Sequence, residues 1–370
     1  MPNQQKRRVA IVGAGIIGAS IAYHLVQRDI DVCVVERGPG PASGTTGNAF
    51  GWVNTLFVDP SDQEVLALRR AATAEYERLA EQLPSAFQYM RRGSLLWKSE
   101  PDETESLVEV LRKEGLDVEL IARAEFVRRE PLIRNVPVCA LASPKDMALQ
   151  PPALASALMA AAVERGAKFF ANSRVTSLHT SNGAVTGLII GGETVEFDLV
   201  VLAAGAWTEE LLRPLGLSLG LLVSPALLLR YSSDRQLLSH IIKSPELEIR
   251  QLPDNMMLVA KSLKDPLPDT SAIDGMGLEM LMRIRELVSG SERIEFEDGV
   301  IGHRPVFSDN LPRTGYADGC KGLYFAVGHP GVILAPLLGR LAASEIVDGI
   351  PPSGFEHADG SHLRRSYAAT

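Results

Sequence analysis

Cysteine is close to missing from this sequence: three residues in 370, at Cys33, Cys139 and Cys320. Their odd number and wide separation exclude a disulfide framework and the close spacing of a metal cluster. No metal site is therefore expected, and a reducing cytoplasm is the expected location. A surplus of basic charge is missing too. Lys and Arg total 37 against 45 Asp and Glu, a net charge of −8, and the bases are scattered, which excludes a nucleic-acid partner. Long hydrophobic runs are also lacking. The stretch 221–229 is too short and is broken by Pro225, so no transmembrane segment is expected. The Lys6-Arg7-Arg8 cluster is not read as an export signal, because Gly13, Gly15 and Gly18 interrupt the apolar run behind it.

Hydrophobic residues make up 46% of the chain and charged residues 22%, enough for a large interior, and the length suggests two packed regions. Near the N-terminus a β-branched run at 9–12, a helical pattern at 16–28 and a second strand at 31–36 form one βαβ unit. A loop rich in Gly and Pro follows at 38–51, then an amphipathic helix at 62–83. A strand is expected near 93–98 and a helix near 104–114. Pro151-Pro152 opens a helix running to 165. Short strands at 168–171, 175–179, 185–190 and 194–197, separated by Asn-Gly and Gly-Gly turns, lead to a fully apolar strand at 199–202. The stretch 221–300 is rich in strands with one helix near 277–288. A buried strand at 323–327 and a helix at 336–348, read as starting at Pro336, precede a polar tail at 351–370. The fold class is α/β.

Between the first strand and helix lies Gly13-Ala14-Gly15-Ile16-Ile17-Gly18, the G-x-G-x-x-G spacing of a dinucleotide-binding turn. There the first glycine allows the tight turn, the second lets the backbone approach a pyrophosphate, and the third lets helix pack on strand. The same hexapeptide also serves plain strand-to-helix turns. Glu36 follows Gly18 by a spacing close to that of the acid that binds ribose hydroxyls, and its charge disfavours a 2′-phosphate. An exposed acid ending a strand is the alternative. Arg37 is adjacent.

Four further stretches carry a resemblance. Ala42-Ser43-Gly44-Thr45-Thr46-Gly47-Asn48-Ala49 with Gly51 resembles the loop that carries the flavin pyrophosphate and ribityl chain in the D-amino acid oxidase and glycine oxidase family. Leu202-Ala203-Ala204-Gly205-Ala206-Trp207 resembles that family's second FAD strand. Gly302-His303-Arg304-Pro305, with Asp309, Pro312 and Gly315, is similar to its G-x-R-P segment. Gly328-His329-Pro330-Gly331, leading through Val332 and Ile333 to Leu334, resembles its closing flavin loop and helix. Val175 matches the family residue whose backbone meets adenine.

The resemblance implies a Rossmann-like FAD-binding domain of the glutathione-reductase type, discontinuous over 1–83, 143–220 and 301–350. It also implies an α+β substrate domain with a mixed or antiparallel sheet over 84–142 and 221–300. The implied cofactor is FAD, held noncovalently, since 306–310 lacks the cysteine by which the sarcosine oxidase branch attaches its flavin. The implied reaction is oxidation of a C–N bond in an amino acid or amine, by hydride transfer to flavin N5 and hydrolysis of the imine. Either O2 or a quinone or protein acceptor takes the electrons.

Arg304 matches the residue that binds the substrate carboxylate, a task suited to the planar guanidinium. An internal ion pair is its alternative. Glycine oxidases carry a further arginine in a longer loop, whereas the loop at 328–331 is short and has none, so His329 or Arg250 is the candidate compensator. Asn54 and Trp52 are placed near the ring. Lys261 invites comparison with an oxygen-activating lysine but is offset. Two rivals stand beside this reading: a flavin subunit of a heteromeric opine-, proline- or sarcosine-type dehydrogenase, with a partner subunit, and a nicotinamide-dependent dehydrogenase.

Overall fold

The computed structural model describes residues 7–59, 62–264 and 267–350. The polar tail at 351–370 lies outside the described residues. A six-stranded sheet runs in the order Arg313–Tyr316, Leu323–Val327, Leu199–Leu202, Arg8–Val12, Asp31–Val35 and Lys168–Phe170, parallel throughout except for its first strand. Its central strands read as continuous apolar runs because both faces are buried. Along Arg8–Val12, Val9 and Ile11 enter one core while Ala10 and Val12 enter another. Val32, Val34 and Cys33, Val35 divide in the same way. The first core is closed by the helices Ile16–Val26, Gln63–Gln82, Pro151–Glu164 and Gly331–Asp348. The second is closed by a three-stranded antiparallel meander, Val175–Ser181, Ala184–Ile190 and Glu193–Glu196.

A nine-stranded mixed sheet forms the other layer. The long strands Leu222–Ser232 and Glu295–Val306 pair antiparallel along most of their length. Leu227, Leu229 and Tyr231 turn toward the helix Thr270–Leu287, whose Met280, Leu281 and Ile284 pack against them. Alternation therefore sends Ser224, Ala226 and Leu228 to the opposite face, beside Arg304, Gly302 and Ser262. Pro225 does not break this strand. The domain boundaries expected at 142/143 and 300/301 fall inside the strands Cys139–Ala148 and Glu295–Val306.

The last helix departs from expectation. It spans Gly331–Asp348, so Pro336 lies inside it rather than at its start. Proline has no N–H for the carbonyl four residues back, which is that of Val332. The Tyr76 hydroxyl, on the helix Gln63–Gln82, donates to that carbonyl instead. The partner is distant in sequence, so a rule placing proline in a first turn had no means of anticipating it. The helix at 277–288 likewise extends back to Thr270, where Asp269 caps Ala272 N–H at 2.8 Å.

Among the described residues no helix is long and apolar enough to cross a membrane.

Candidate active site

A cavity of about 750 Å³ lies where the C-terminal ends of Arg8–Val12, Leu199–Leu202 and Leu323–Val327 meet the inner face of the large sheet. This is the crevice at which open α/β sheets bind ligands. Its volume is in the upper part of the range for small-molecule sites.

One end is built by the first βαβ turn. Gly13 has φ +101°, and a Cβ there would stand 2.7 Å from the Ala203 carbonyl oxygen. A Cβ at Gly18 would stand 2.0 Å from the Gly13 oxygen, so this glycine seats the helix rather than facing the cavity. Glu36 is nearly buried. Its two oxygens accept from Ala14 N–H and Gly38 N–H, each at 2.8 Å, which fixes the carboxylate at the cavity wall with lone pairs left over. Arg37 stacks on Trp207, its guanidinium carbon 3.5 Å from the ring centroid. Val175, Ala203, Ala204 and Gly205 complete this end.

The middle is the loop around the short turn Thr45–Asn48. Thr46 Oγ1 accepts from Ile16 N–H at 3.1 Å, and Thr45 Oγ1 donates to the His303 carbonyl at 2.8 Å. The loop is thus tied both to the helix N-terminus and to the large sheet. Ser43 instead turns back on Gly40, a Cβ at Gly47 would press on the Ala42 oxygen, and Leu334 is fully in the core. None of these three lines the cavity. Gly15, Ile16, Ile17, Asn48, Ala49 and Gly51 do.

Two helix N-termini open on the cavity, Ile16–Val26 and Gly331–Asp348. Neither has a capping side chain at its N-cap residue or an acidic residue in its first turn, and the side chain that meets Ile16 N–H is the neutral Thr46 hydroxyl, whereas Gln63–Gln82 and Thr270–Leu287 are capped by Asp62 and Asp269. Uncompensated helix N-termini attract negative charge. Gly-backed turns, a fixed acid and two helix ends without acidic caps facing one cavity fit a dinucleotide that carries a pyrophosphate and an electron-rich ring.

The far end gathers Arg304, His329, Asn54 and Trp52. Arg304 extends from Glu295–Val306. Its Nη2 donates to Ser224 Oγ at 2.7 Å and to the Pro225 carbonyl at 3.4 Å, and its Nε to the Ser224 carbonyl at 3.2 Å. Among the described residues no ion pair holds it, although Glu248 stands near enough to oppose the downward push of burial on its pKa. His329 is driven down to about 4 by burial and by the adjoining Arg304 and Arg69 charges, so its ring is neutral near pH 7. Asn54 Oδ1 is spent on Leu56 N–H. Trp52 Nε1 donates to Asp146 at 2.7 Å, and Ser94 and Ser143 donate to the same buried carboxyl. Burial raises Asp146 to about 6 against those hydrogen bonds.

Arg250 belongs elsewhere. It is 3% exposed, lies outside the cavity lining, and donates from Nε to the Phe50 carbonyl and from Nη2 to the Leu149 carbonyl, both at 2.6 Å. Its guanidinium ties the loop after Ala49 to the chain before the helix Pro151–Glu164, which corrects its placement among substrate-facing candidates. Lys261 also lies outside this cavity. The sequence reading missed Arg69 and Glu248, both cavity-facing. Arg69 reads as one more charge on an amphipathic helix, and Glu248 as one more polar strand position.

Fold and site together define a dinucleotide-dependent α/β oxidoreductase with a second sheet roofing the reacting end. Residues 8–345 match the family described as DAO, FAD dependent oxidoreductase, and the chain belongs to that family. It is 29% identical over 347 residues to the glycine oxidase of Geobacillus kaustophilus, covering 90% of this chain and 91% of that protein. The solved structure of a glycine oxidase from that organism superposes with a TM-score of 0.80 at 26% identity, over 93% and 95% of the two chains. A D-amino acid dehydrogenase of Rhizobium rhizogenes is 24% identical over 87% of this chain and 91% of its own length. The cofactor is FAD, and the nicotinamide alternative falls away with the family match.

Proposed function

We propose that the chain oxidises the C–N bond of an amino acid or related amine whose carboxylate is bound by Arg304. The observation that carries this reading is the Arg304 guanidinium, oriented by Ser224 and Pro225, facing the cavity beside a neutral His329 and without an ion-pair partner among the described residues. Its free Nη1 donor suits a carboxylate. FAD, when bound, supplies the hydride acceptor for the C–H bond next to nitrogen. Gly15 and the opening turn of Ile16–Val26, behind the tight turn at Gly13, would hold its pyrophosphate, and Glu36 would take the ribose hydroxyls. The bare N-terminus of Gly331–Asp348 favours negative charge at the ring. His329, kept neutral, does not compete as a cation for the carboxylate. The amine enters deprotonated and positioning supplies most of the catalysis, so the far end has no need of a strong general base.

In this reading 1–83, 143–220 and 301–350 serve the cofactor and 84–142 with 221–300 the substrate. The flavin is held noncovalently in a cytoplasmic protein. Acid precipitation releases it intact; flavin left on the denatured chain overturns the noncovalent assignment. The substrate is sought by anaerobic bleaching of the bound flavin across amines and amino acids. Air is then admitted, which separates oxygen from a quinone or protein acceptor, with or without a partner subunit. Bleaching by none of the amino acids or amines overturns the proposed reaction.

A further inference from the structure

The helix Gln63–Gln82 turns one charged side chain, Arg69, into the cavity. Among the described residues no carboxylate pairs with it. Its Nη1 reaches the Asn54 carbonyl at a long 3.4 Å, and its buried Nε has no hydrogen-bond partner. Arg78 on the same helix is instead paired with Glu75 at 2.8 Å. Buried donors are ordinarily satisfied, and an unmet one on a charged group is costly. The Arg69 side chain lines the cavity, and at its reacting end the Arg69 and Arg304 charges both act on His329.

The two guanidiniums present different edges. Arg304 commits Nε and Nη2 to Ser224 and Pro225 and keeps Nη1. Arg69 holds Nε buried, reaches the Asn54 carbonyl only weakly through Nη1, and makes no hydrogen bond through Nη2 among the described residues, which leaves a charged donor suited to a carboxylate oxygen. Glu248, the acid beside Arg304, is engaged by Lys243 at 3.0 Å. The reacting end therefore has two separate cationic side chains, one from the large sheet and one from a helix of the other layer.

Resting on the reading that Arg304 binds one carboxylate, we propose that Arg69 binds a second, so that the preferred substrates are amino acids or amines bearing two carboxylates. The test titrates the visible flavin spectrum of the FAD-loaded protein with malonate, succinate and glutarate against propionate. Wild-type protein is expected to bind the best diacid at least about tenfold more tightly than propionate, the effect of one added charge-assisted pair. In Arg69→Met that ratio falls to near one, and Arg69→Lys restores part of it. With amino-acid substrates the loss in kcat/KM falls selectively on dicarboxylic ones.

A wild-type protein indifferent to the second carboxylate, or an Arg69→Met protein that keeps the preference, overturns the proposal and leaves Arg304 untouched. Flavin loss in both Arg69 variants also overturns it, by assigning Arg69 to the cofactor. If Arg69→Met does not fold, the wild-type ratio and Arg69→Lys decide. Absence of any response to monocarboxylates and diacids, with amino-acid oxidation indifferent to Arg304→Ala, is a separate result that defeats the underlying reading.

Discussion

At the scale of single residues, two arginines of nearly equal appearance in the sequence have opposite surroundings. Arg304 leaves a donor toward the cavity, whereas Arg250 spends its fork on two backbone carbonyls. Arg304→Ala is expected to keep flavin and stability while raising the KM for a carboxylate substrate by roughly 30-fold to several thousand-fold, the cost of removing one partner of a buried charge-assisted pair. Arg304→Lys recovers only part, because an ammonium lacks the planar fork. Normal kinetics in both variants would make Arg304 structural. Arg250→Met should instead show in a denaturant midpoint. It strands the Phe50 and Leu149 carbonyls, at about 1 to 3 kcal/mol for each buried acceptor left unmet. An unchanged midpoint would contradict its role as a strap. The sequence marks both residues only as bases on strands, since donor orientation is set by partners far along the chain.

At the scale of elements, the final helix shows how a long-range contact overrides a local rule. Pro336 would break Gly331–Asp348 by leaving the Val332 carbonyl unmet, yet the Tyr76 hydroxyl satisfies it. Because the bare N-terminus of this helix faces the cavity, that one hydroxyl also bears on the site. Tyr76→Phe keeps the buried ring and removes only the donor, so it should cost about 1 to 3 kcal/mol in unfolding free energy. Hydrogen exchange should rise in the first turns of Gly331–Asp348 before it rises in Ile16–Val26. Equal stability and exchange would mean that solvent or another group meets the Val332 oxygen. The short apolar, β-branched strands Arg8–Val12 and Asp31–Val35 were legible throughout, because a buried strand bounded by turn residues is marked by its own composition.

Across the whole molecule, stability at acid pH is set by buried groups acting in opposite directions. Burial, with Arg340 nearby, lowers His24 to about 4, and burial with Arg304 and Arg69 does the same to His329. Unfolded, both take up protons near pH 6.5, so the unfolded chain binds more protons between about 6.5 and 4. The stability they contribute is complete above that window and is lost as pH falls through it. Asp146, raised to about 6, works the other way: what it contributes below its ordinary carboxylate range is lost as pH rises toward 6. The thermal midpoint of the FAD-loaded protein should therefore fall from pH 7 to pH 4 with a slope that His24→Leu flattens and Asp146→Asn steepens. Parallel curves for all three proteins would rule out this assignment.

The sequence by itself determined the first βαβ unit, the glycine turn with Glu36, the flavin-family order of segments and hence the cofactor class. Each of these is written in short-range spacing or in backbone conformations that few residues tolerate, as Gly13 shows. What only the tertiary structure decided is which charged groups face the reacting end. Arg69 and Arg304 meet there from a helix and a sheet more than two hundred residues apart in the chain, while Arg250 is drawn away by two carbonyls. Side-chain direction at such positions follows from packing between layers, and no local pattern encodes it.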